Sequence, residues 1–396
     1  MTEQTNSTTR RTDIELFAGG GGMAIGLKEA GFSPASFYEM DQHSCETLRH
    51  NAASKSATLV GEVVEGRAEE LDWNAHKREV RLLAAGAPCQ PFSLAGKHLA
   101  ERDGRNLFPE VLRAVRQLRP FAVFLENVRG LARESFRPYF EYIIRQLQCP
   151  SIEPHRSELW QAHDIRIRRN QLSVGFEPDY HVDYRLFDAA DFGAPQNRKR
   201  VLIVATRRDF PVYEFPKPTH SRSELLRIKK SGEYWERHNL PKPNGFTLNE
   251  QIVGEKNGRF PWLTVRDALK NLPEPADKEC MALMNHWRIP GARRYAGHTG
   301  SELDWPAKTI KAGVHGVPGG ENIVIEDDGT FRYFTLRETA KLQTFPDHHL
   351  FLGARIHVTR QIGNAVPCIL AATLARPLYQ LIQCELERRT RNANLK

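Results

Sequence analysis

The chain has 396 residues, room for two lobes at about 150 residues per domain, and its 40% apolar and 26% charged content is that of a folded globular protein. A net charge of +8 points to a polyanionic partner. There is no 18-residue apolar run, residues 1–12 are polar, and the six cysteines (Cys45, Cys89, Cys149, Cys280, Cys368, Cys384) form no CxxC pair. A membrane span, a secretory leader, a disulfide scaffold and a structural zinc site are therefore disfavoured, and a reduced, cytoplasmic setting is expected.

Residues 13–17 read as a short strand, followed by Ala18 and the run Gly19-Gly20-Gly21-Gly22; residues 23–30 are helical in character and end at Gly31. Strand, glycine turn and helix open a doubly wound α/β unit. Residues 35–40 are strand-like and 44–53 helix-like. Residues 80–85 form an apolar run that stops at Gly86-Ala87-Pro88. Leu107, Val111, Leu112, Val115 and Leu118 share one helical face, Pro120 ends that helix, and 121–125 is a buried-strand run before Glu126-Asn127. Residues 151–175, polar and with Arg166, Arg168 and Arg169 bunched, read as an insertion. Residues 181–187 and 201–206 still look like strands of the first lobe. The expected fold is α/β: a largely parallel sheet with helices on both faces and ligands at the carboxyl ends of the strands.

The texture changes after residue 206. Between 207 and 245 lie prolines 211, 216, 218, 241 and 243, and nine Lys/Arg stand against five Asp/Glu, interleaved with Tyr213, Phe215, Tyr234 and Trp235. Such texture suits a nucleic-acid surface, where phosphates want cations and bases want rings, and equally a solvated insert. Helical order returns at 336–343 and 369–388, which suggests a return to the first lobe.

Several residues can carry chemistry. The glycine run lets backbone approach a nucleotide-like cofactor, and Glu39, about 20 residues on, suits ribose hydroxyls; nicotinamide, flavin and S-adenosylmethionine sites all share this pattern. Cys89, in Pro88-Cys89-Gln90-Pro91, sits where a strand ends; it can be a nucleophile or a buried structural thiol. Glu126 ends the next strand, beside that thiol, and can be a protonated general acid or a salt-bridged structural one. Gln196, Arg198 and Arg200 alternate onto one face and can supply charge near the thiol.

Phe17-Ala18-Gly19, Glu39, Pro88-Cys89-Gln90, Glu126-Asn127-Val128, Gln196/Arg198/Arg200, residues 337–343 (RETAKLQ) and Gln361-Ile362-Gly363-Asn364 occur in one order. That ordered set resembles the motifs of the cytosine-C5 DNA methyltransferases, most similar to the bacterial modification enzymes, over about residues 13–375. The resemblance implies a Rossmann-like S-adenosylmethionine (SAM) domain from 12–206 plus 335–396 and a smaller, loop-rich target-recognition domain at 207–334. It implies Cys89 as nucleophile, Glu126 as acid, Arg198 and Arg200 steadying Glu126 and the cytosine carbonyl, and Gln196 supporting the site. Phe17, Ala18, Gly19, Gly20 and Gly22 would border SAM, with Glu39 on the ribose, Met40 on adenine, and Pro88, Leu107, Asn364 and Ala365 completing the wall. No metal is implied. Double-stranded DNA would be the substrate, a monomer would suffice, and a companion restriction endonuclease acting on the same site is expected.

One departure stands out: the family's acidic contact to the adenine amino group is replaced by Gly66-Arg67-Ala68, leaving Glu65, Glu69 or a main-chain carbonyl to substitute. A silent DNA-binding regulator on the same fold predicts damage at the nucleophile, yet Cys89, Glu126, Arg198 and Arg200 are all present. A nicotinamide-dependent oxidoreductase gives Cys89 and the arginine strand no task. Arg293, Arg294, His298, Lys308, Lys311 and His315 fall in a glycine-rich stretch that can reach a major groove or simply meet phosphate and solvent.

Overall fold

A computed structural model of the chain describes residues 12–53, 58–76, 78–88, 106–243, 258–275, 284–293, 299–313 and 322–394. Its first lobe alternates β1 (Thr12–Leu16), α1 (Gly22–Ala30), β2 (Pro34–Glu39), α2 (Gln42–Ala53), β3 (Glu62–Glu65), β4 (Val80–Gly86), α3 (Phe108–Leu118), β5 (Ala122–Val128), α4 (Arg137–Gln148), α5 (Trp160–Gln171), β6 (Tyr180–Asp188) and β7 (Lys199–Arg207). The strands form one sheet in the order β3-β2-β1-β4-β5-β7-β6, with β7 antiparallel to both neighbours. The chain runs outward from β1 in one direction, then resumes at β4 on β1's other side. Strand order reverses there, so the crevice for a ligand opens at the carboxyl ends of β1 and β4.

The central strands are apolar because helices cover both faces. Leu82, Leu83, Ala84 and Ala85 of β4 and Val123, Phe124 and Leu125 of β5 are all buried. One face packs on α3 and α4 through Val111, Val115, Phe140 and Ile143, the other on α1 and the chain's last helix.

The stretch read as an insertion contributes to this lobe. Helix α5 buries His163, Asp164 and Ile167 against α4, where Arg145 clasps Asp164 at 2.6 Å and Tyr142 meets the His163 ring at 2.8 Å. Its inner face is polar, so hydrophobic periodicity is silent there.

Beyond β7 the chain builds β8 (His220–Ser221), α6 (Arg222–Ser231), α7 (Glu233–Arg237), β9 (Phe260–Pro261), α8 (Val265–Leu269), β10 (Ser301–Glu302), β11 (Ile323–Ile325) and β12 (Phe331–Tyr333). All four aromatics of the basic stretch are buried, which corrects the surface reading. Tyr213 and Phe215 join the sheet's core, Tyr213 donating to the Leu374 carbonyl at 2.6 Å. Tyr234 and Trp235 form a small core whose centre is the buried Lys229 ammonium, 3.9 Å from the Trp305 ring centroid. Aromatics and lysine interleaved in sequence are here a cation–π core.

The chain then returns as α9 (Leu336–Leu342), α10 (Arg355–Asn364) and α11 (Cys368–Asn394). Helix α9 starts on a reciprocal cap: the Thr335 hydroxyl accepts from the Glu338 N–H, and the Glu338 carboxylate accepts from the Thr335 N–H. Helices α10 and α11 carry a stretch long and apolar enough to cross a membrane by length and composition. Leu370, Leu374 and Leu378 of that stretch are buried in the core shared with α1.

Candidate active site

Strand β1 delivers the chain to the glycine turn through Phe17, a non-glycine residue at φ 57° whose N–H donates to the Tyr38 carbonyl at 2.8 Å. Glu39, ending the neighbouring β2, reaches across: Oε2 accepts from the Gly19 N–H and Oε1 from the N–H groups of Met40 and Asp41, all at 2.8 Å. Burial pushes this carboxyl up from its ordinary value, and the three amides oppose that shift. Met40 is exposed, and Leu107 stands half-buried at the start of α3.

The glycines divide their work. Space beside Gly19 is open for 4 Å, whereas a Cβ on Gly20 would press on Gln361 and Phe351 at 3.1 Å. A Cβ on Gly22 would stand 2.5 Å from the Val366 carbonyl and 2.9 Å from the Ala365 methyl. Any side chain on Gly20 or Gly22 would meet the packed C-terminal return, so both α-carbons have to stay bare. Ala365, expected on the cofactor wall, packs its methyl toward Gly22, while Asn364 is exposed.

Across the switch point, β4 ends at Gly86 opposite Glu126 of β5. The Asn127 amide donates to the Ala87 carbonyl at 3.1 Å and so fixes the main chain leading to Pro88, which is half-buried. Cys89 itself lies outside the described residues. Glu126 is buried, with Oε1 2.7 Å from Nε of Arg200. The pairing is built into the strands: antiparallel β7 sets Leu202 opposite Glu126 and Arg200 opposite Val128, so both side chains emerge on one face. Burial raises the Glu126 carboxyl above its ordinary range, opposed first by the charge of Arg200 and then by that of Arg198. A Cβ on Gly86 would lie 3.8 Å from the Met23 methyl, 3.9 Å from Oε2 of Glu126 and 4.0 Å from the Phe17 carbonyl oxygen. The acid and the start of the glycine turn are therefore neighbours around Gly86.

The two arginines differ in what they hold. The fully buried Arg198 sends Nη1 to the Ile310 carbonyl at 3.0 Å and Nη2 to those of Gly363 and Ala365 at 2.7 and 2.9 Å. Gln196 donates to the Leu342 carbonyl at 2.8 Å and to Oε1 of Gln343 at 2.7 Å, and accepts from the Ile310 N–H at 3.0 Å. Arg198, expected with Arg200 to steady Glu126 and the cytosine carbonyl, gives its Nη1 and Nη2 groups to main-chain carbonyls while its charge still acts on Glu126; with Gln196 it fastens β7 to residue 310 and to the C-terminal return. Arg200 makes the direct contact with the acid.

Neither side-chain substitute for the missing adenine contact is idle: Glu65 pairs with Arg49 at 2.9 Å and Glu69 with Arg67 at 3.1 Å. Sequence reasoning assigned Asn127 no task, although its neighbour Glu126 marked the position. Of the six cationic candidates in the glycine-rich stretch, Arg293, Lys308 and Lys311 are described, and Lys308 donates to the Thr299 hydroxyl. Arg294, His298 and His315 lie outside the described residues. No group of three or more metal-ligating side chains occurs among the described residues.

A reversed-order sheet with one antiparallel strand, a glycine turn after β1 and an acid ending β2 give the frame of a nucleotide-cofactor enzyme, and the matching family model makes that class the SAM-dependent methyltransferases. More specifically, the chain belongs to the C-5 cytosine-specific DNA methylase family, whose model matches residues 11–150 and 162–380. Among curated relatives, it is 31% identical over 379 residues to the Type II methyltransferase M.Eco47II of Escherichia coli, covering 94% of this chain and 79% of that one. It is 33% identical over 387 residues to M.NaeI of Lentzea aerocolonigenes, covering 96% and 77%. Solved structures share the fold: a putative DNA modification methyltransferase encoded within an E. coli prophage (TM-score 0.54, 20% identity, 94% of this chain and 99% of that one) and a Spodoptera frugiperda DNMT2 mutant (0.55, 17%, 93% and 99%). The protein is thus a DNA cytosine-5 methyltransferase.

Proposed function

We propose that the protein methylates one cytosine within a specific double-stranded DNA site through a covalent Cys89–C6 intermediate, as the modification half of a Type II restriction–modification system. Cytosine C5 is too weak a nucleophile to take a methyl group unaided. Addition of the Cys89 thiolate at C6, with Glu126 sharing or giving a proton at N3, makes C5 enamine-like. SAM, when bound, supplies the methyl group as an electrophilic sulfonium. Loss of the C5 proton and elimination of the thiolate then release the product and restore the nucleophile. A stacked base cannot reach such a pocket, so the cytosine is flipped out at a cost of a few kcal/mol.

The buried Glu126, paired with Arg200 and neighbouring the start of the glycine turn around Gly86, carries this reading. A carboxyl raised by burial keeps its proton nearer neutrality, and Arg200 holds the conjugate base that remains. The residues fit SAM: the side of Gly19 is open, and Glu39 brings a fixed carboxylate to the turn for ribose hydroxyls. One chain supplies every group named, so a monomer suffices, and the companion would be an endonuclease cutting the same site. Methylation of a mixed-sequence plasmid followed by bisulfite sequencing tests the proposal. Wild type should leave 5-methylcytosine at one position of one short sequence. Cys89→Ser should leave none while binding SAM within about twofold of wild type. Methylation by that variant, or methylation without sequence context, counts against the reading.

A further inference from the structure

The turn after β1 is held from two sides. Glu39 takes the Gly19 N–H, and the opposite side is held by His349, a residue of the loop after α9. His349 is fully buried between Phe345 and Phe351, ring centroids 5.1 and 4.9 Å away. Its Nε2 lies 3.0 Å from the Gly20 carbonyl oxygen and its Nδ1 3.0 Å from the Thr58 hydroxyl. A carbonyl can only accept, so Nε2 carries the hydrogen and Nδ1 receives the one from Thr58. The ring's tautomer is thereby fixed. The His349 main chain is pinned as well: its N–H donates to the Pro346 carbonyl at 3.0 Å and its carbonyl accepts from Arg337 Nη1 at 3.1 Å.

We infer that His349 is a positioning residue for SAM binding, setting the Gly20–Gly21 peptide of the cofactor turn by donating Nε2–H to the Gly20 carbonyl. The inference rests on the assignment of this turn to the SAM site. Gly21 sits at φ 88°, donates to the Ala18 carbonyl at 3.0 Å and accepts from the Ile25 N–H at 3.0 Å, so the direction of its preceding peptide decides how the turn enters α1. Burial lowers the His349 imidazole to about 3, which keeps it neutral and its donor pattern unchanged across the working range of pH. Composition gave no hint of this residue, because its partners are 329 and 291 positions away.

Isothermal titration of SAM into the full-length protein, with KM for DNA measured alongside, tests the inference. His349→Phe fills the space without a donor and should weaken SAM binding about tenfold, since a buried carbonyl is left unpaired. His349→Gln returns an N–H near the position of Nε2 and should recover most of that loss. Thr58→Val, which removes only the group that orients the ring, should weaken SAM about threefold. KM for DNA should stay within about twofold throughout, whereas a purely structural role would lower thermal stability and leave the SAM constant alone. Glu39→Ala is the reference. If it weakens SAM while folded His349→Phe does not, or if Gln fails to improve on Phe, the role of His349 is overturned. If neither variant weakens SAM, the placement of SAM at this turn is overturned instead. Should His349→Phe not fold, an unchanged SAM constant in Thr58→Val overturns the inference by itself.

Discussion

Two carboxylates, Glu39 half-buried and Glu126 buried, stand near strand ends on either side of the switch point, and they are held in opposite ways. Glu39 is gripped by three main-chain N–H groups, those of Met40 and Asp41 in its own turn and that of Gly19 in the turn after β1. Glu126 is gripped by a side chain, Arg200, from a neighbouring strand. Main-chain amides cannot withdraw or change charge, so a carboxylate they hold is a fixed acceptor, suited to hydroxyl groups that bind and leave. An arginine partner stabilises the anion while burial favours the acid, leaving a group poised to exchange a proton. Glu15 gives a third case, buried on β1 with Oε2 unpartnered; burial pushes it up to about 8 from 4.5, against the pull of the Ala24 N–H.

The contrast can be broken by substitution. Glu126→Gln removes the exchangeable proton and should lower kcat by about 10²–10⁴-fold in single-turnover methylation, with SAM affinity unchanged. A rate within threefold of wild type would remove Glu126 from the acid's role. Glu39→Ala should do the reverse. SAM binding should weaken about 10- to 100-fold, as for loss of charge-assisted hydrogen bonds, while kcat at saturating SAM stays near wild type. A change confined to kcat would erase the distinction between the two sites.

A third effect concerns stability. Glu15 binds its proton more tightly folded than unfolded, so the stability it contributes is full below pH 4.5 and is lost as pH rises toward 8. Thermal melts of Glu15→Gln against wild type should therefore diverge over that window, on the order of 1 kcal/mol per pH unit. Parallel curves would place an ionised Glu15 in the folded protein.

The sheet was legible because β4 and β5, covered on both faces, are continuous apolar runs, and because the glycine turn and the prolines at 88 and 120 punctuate them. Helix α5 was not, since its inward face is His163, Asp164 and Ile167 and its hold on α4 is an ion pair and a hydrogen bond. The aromatics near Lys229 misled for a related reason: lysine beside rings looks the same in sequence whether the cation faces phosphate or a tryptophan. Local order placed Glu39 and Glu126 near strand ends and Arg200 on the neighbouring strand, but did not show how the two arginines divide their contacts. Arg198 and Arg200 alternate correctly, yet Arg198's partners lie 112, 165 and 167 residues away, and no spacing rule reaches that far.

The central claim is a transient bond between the Cys89 sulfur and cytosine C6. Replacing the target cytosine by 5-fluorocytosine blocks its release, because fluorine cannot depart as a cation. With the cognate duplex and SAM, intact-mass analysis should show one DNA strand joined to the protein, peptide mapping should place the link at Cys89, and Cys89→Ser should abolish it. Methylation of ordinary cytosine by a protein that never forms this adduct would contradict the account.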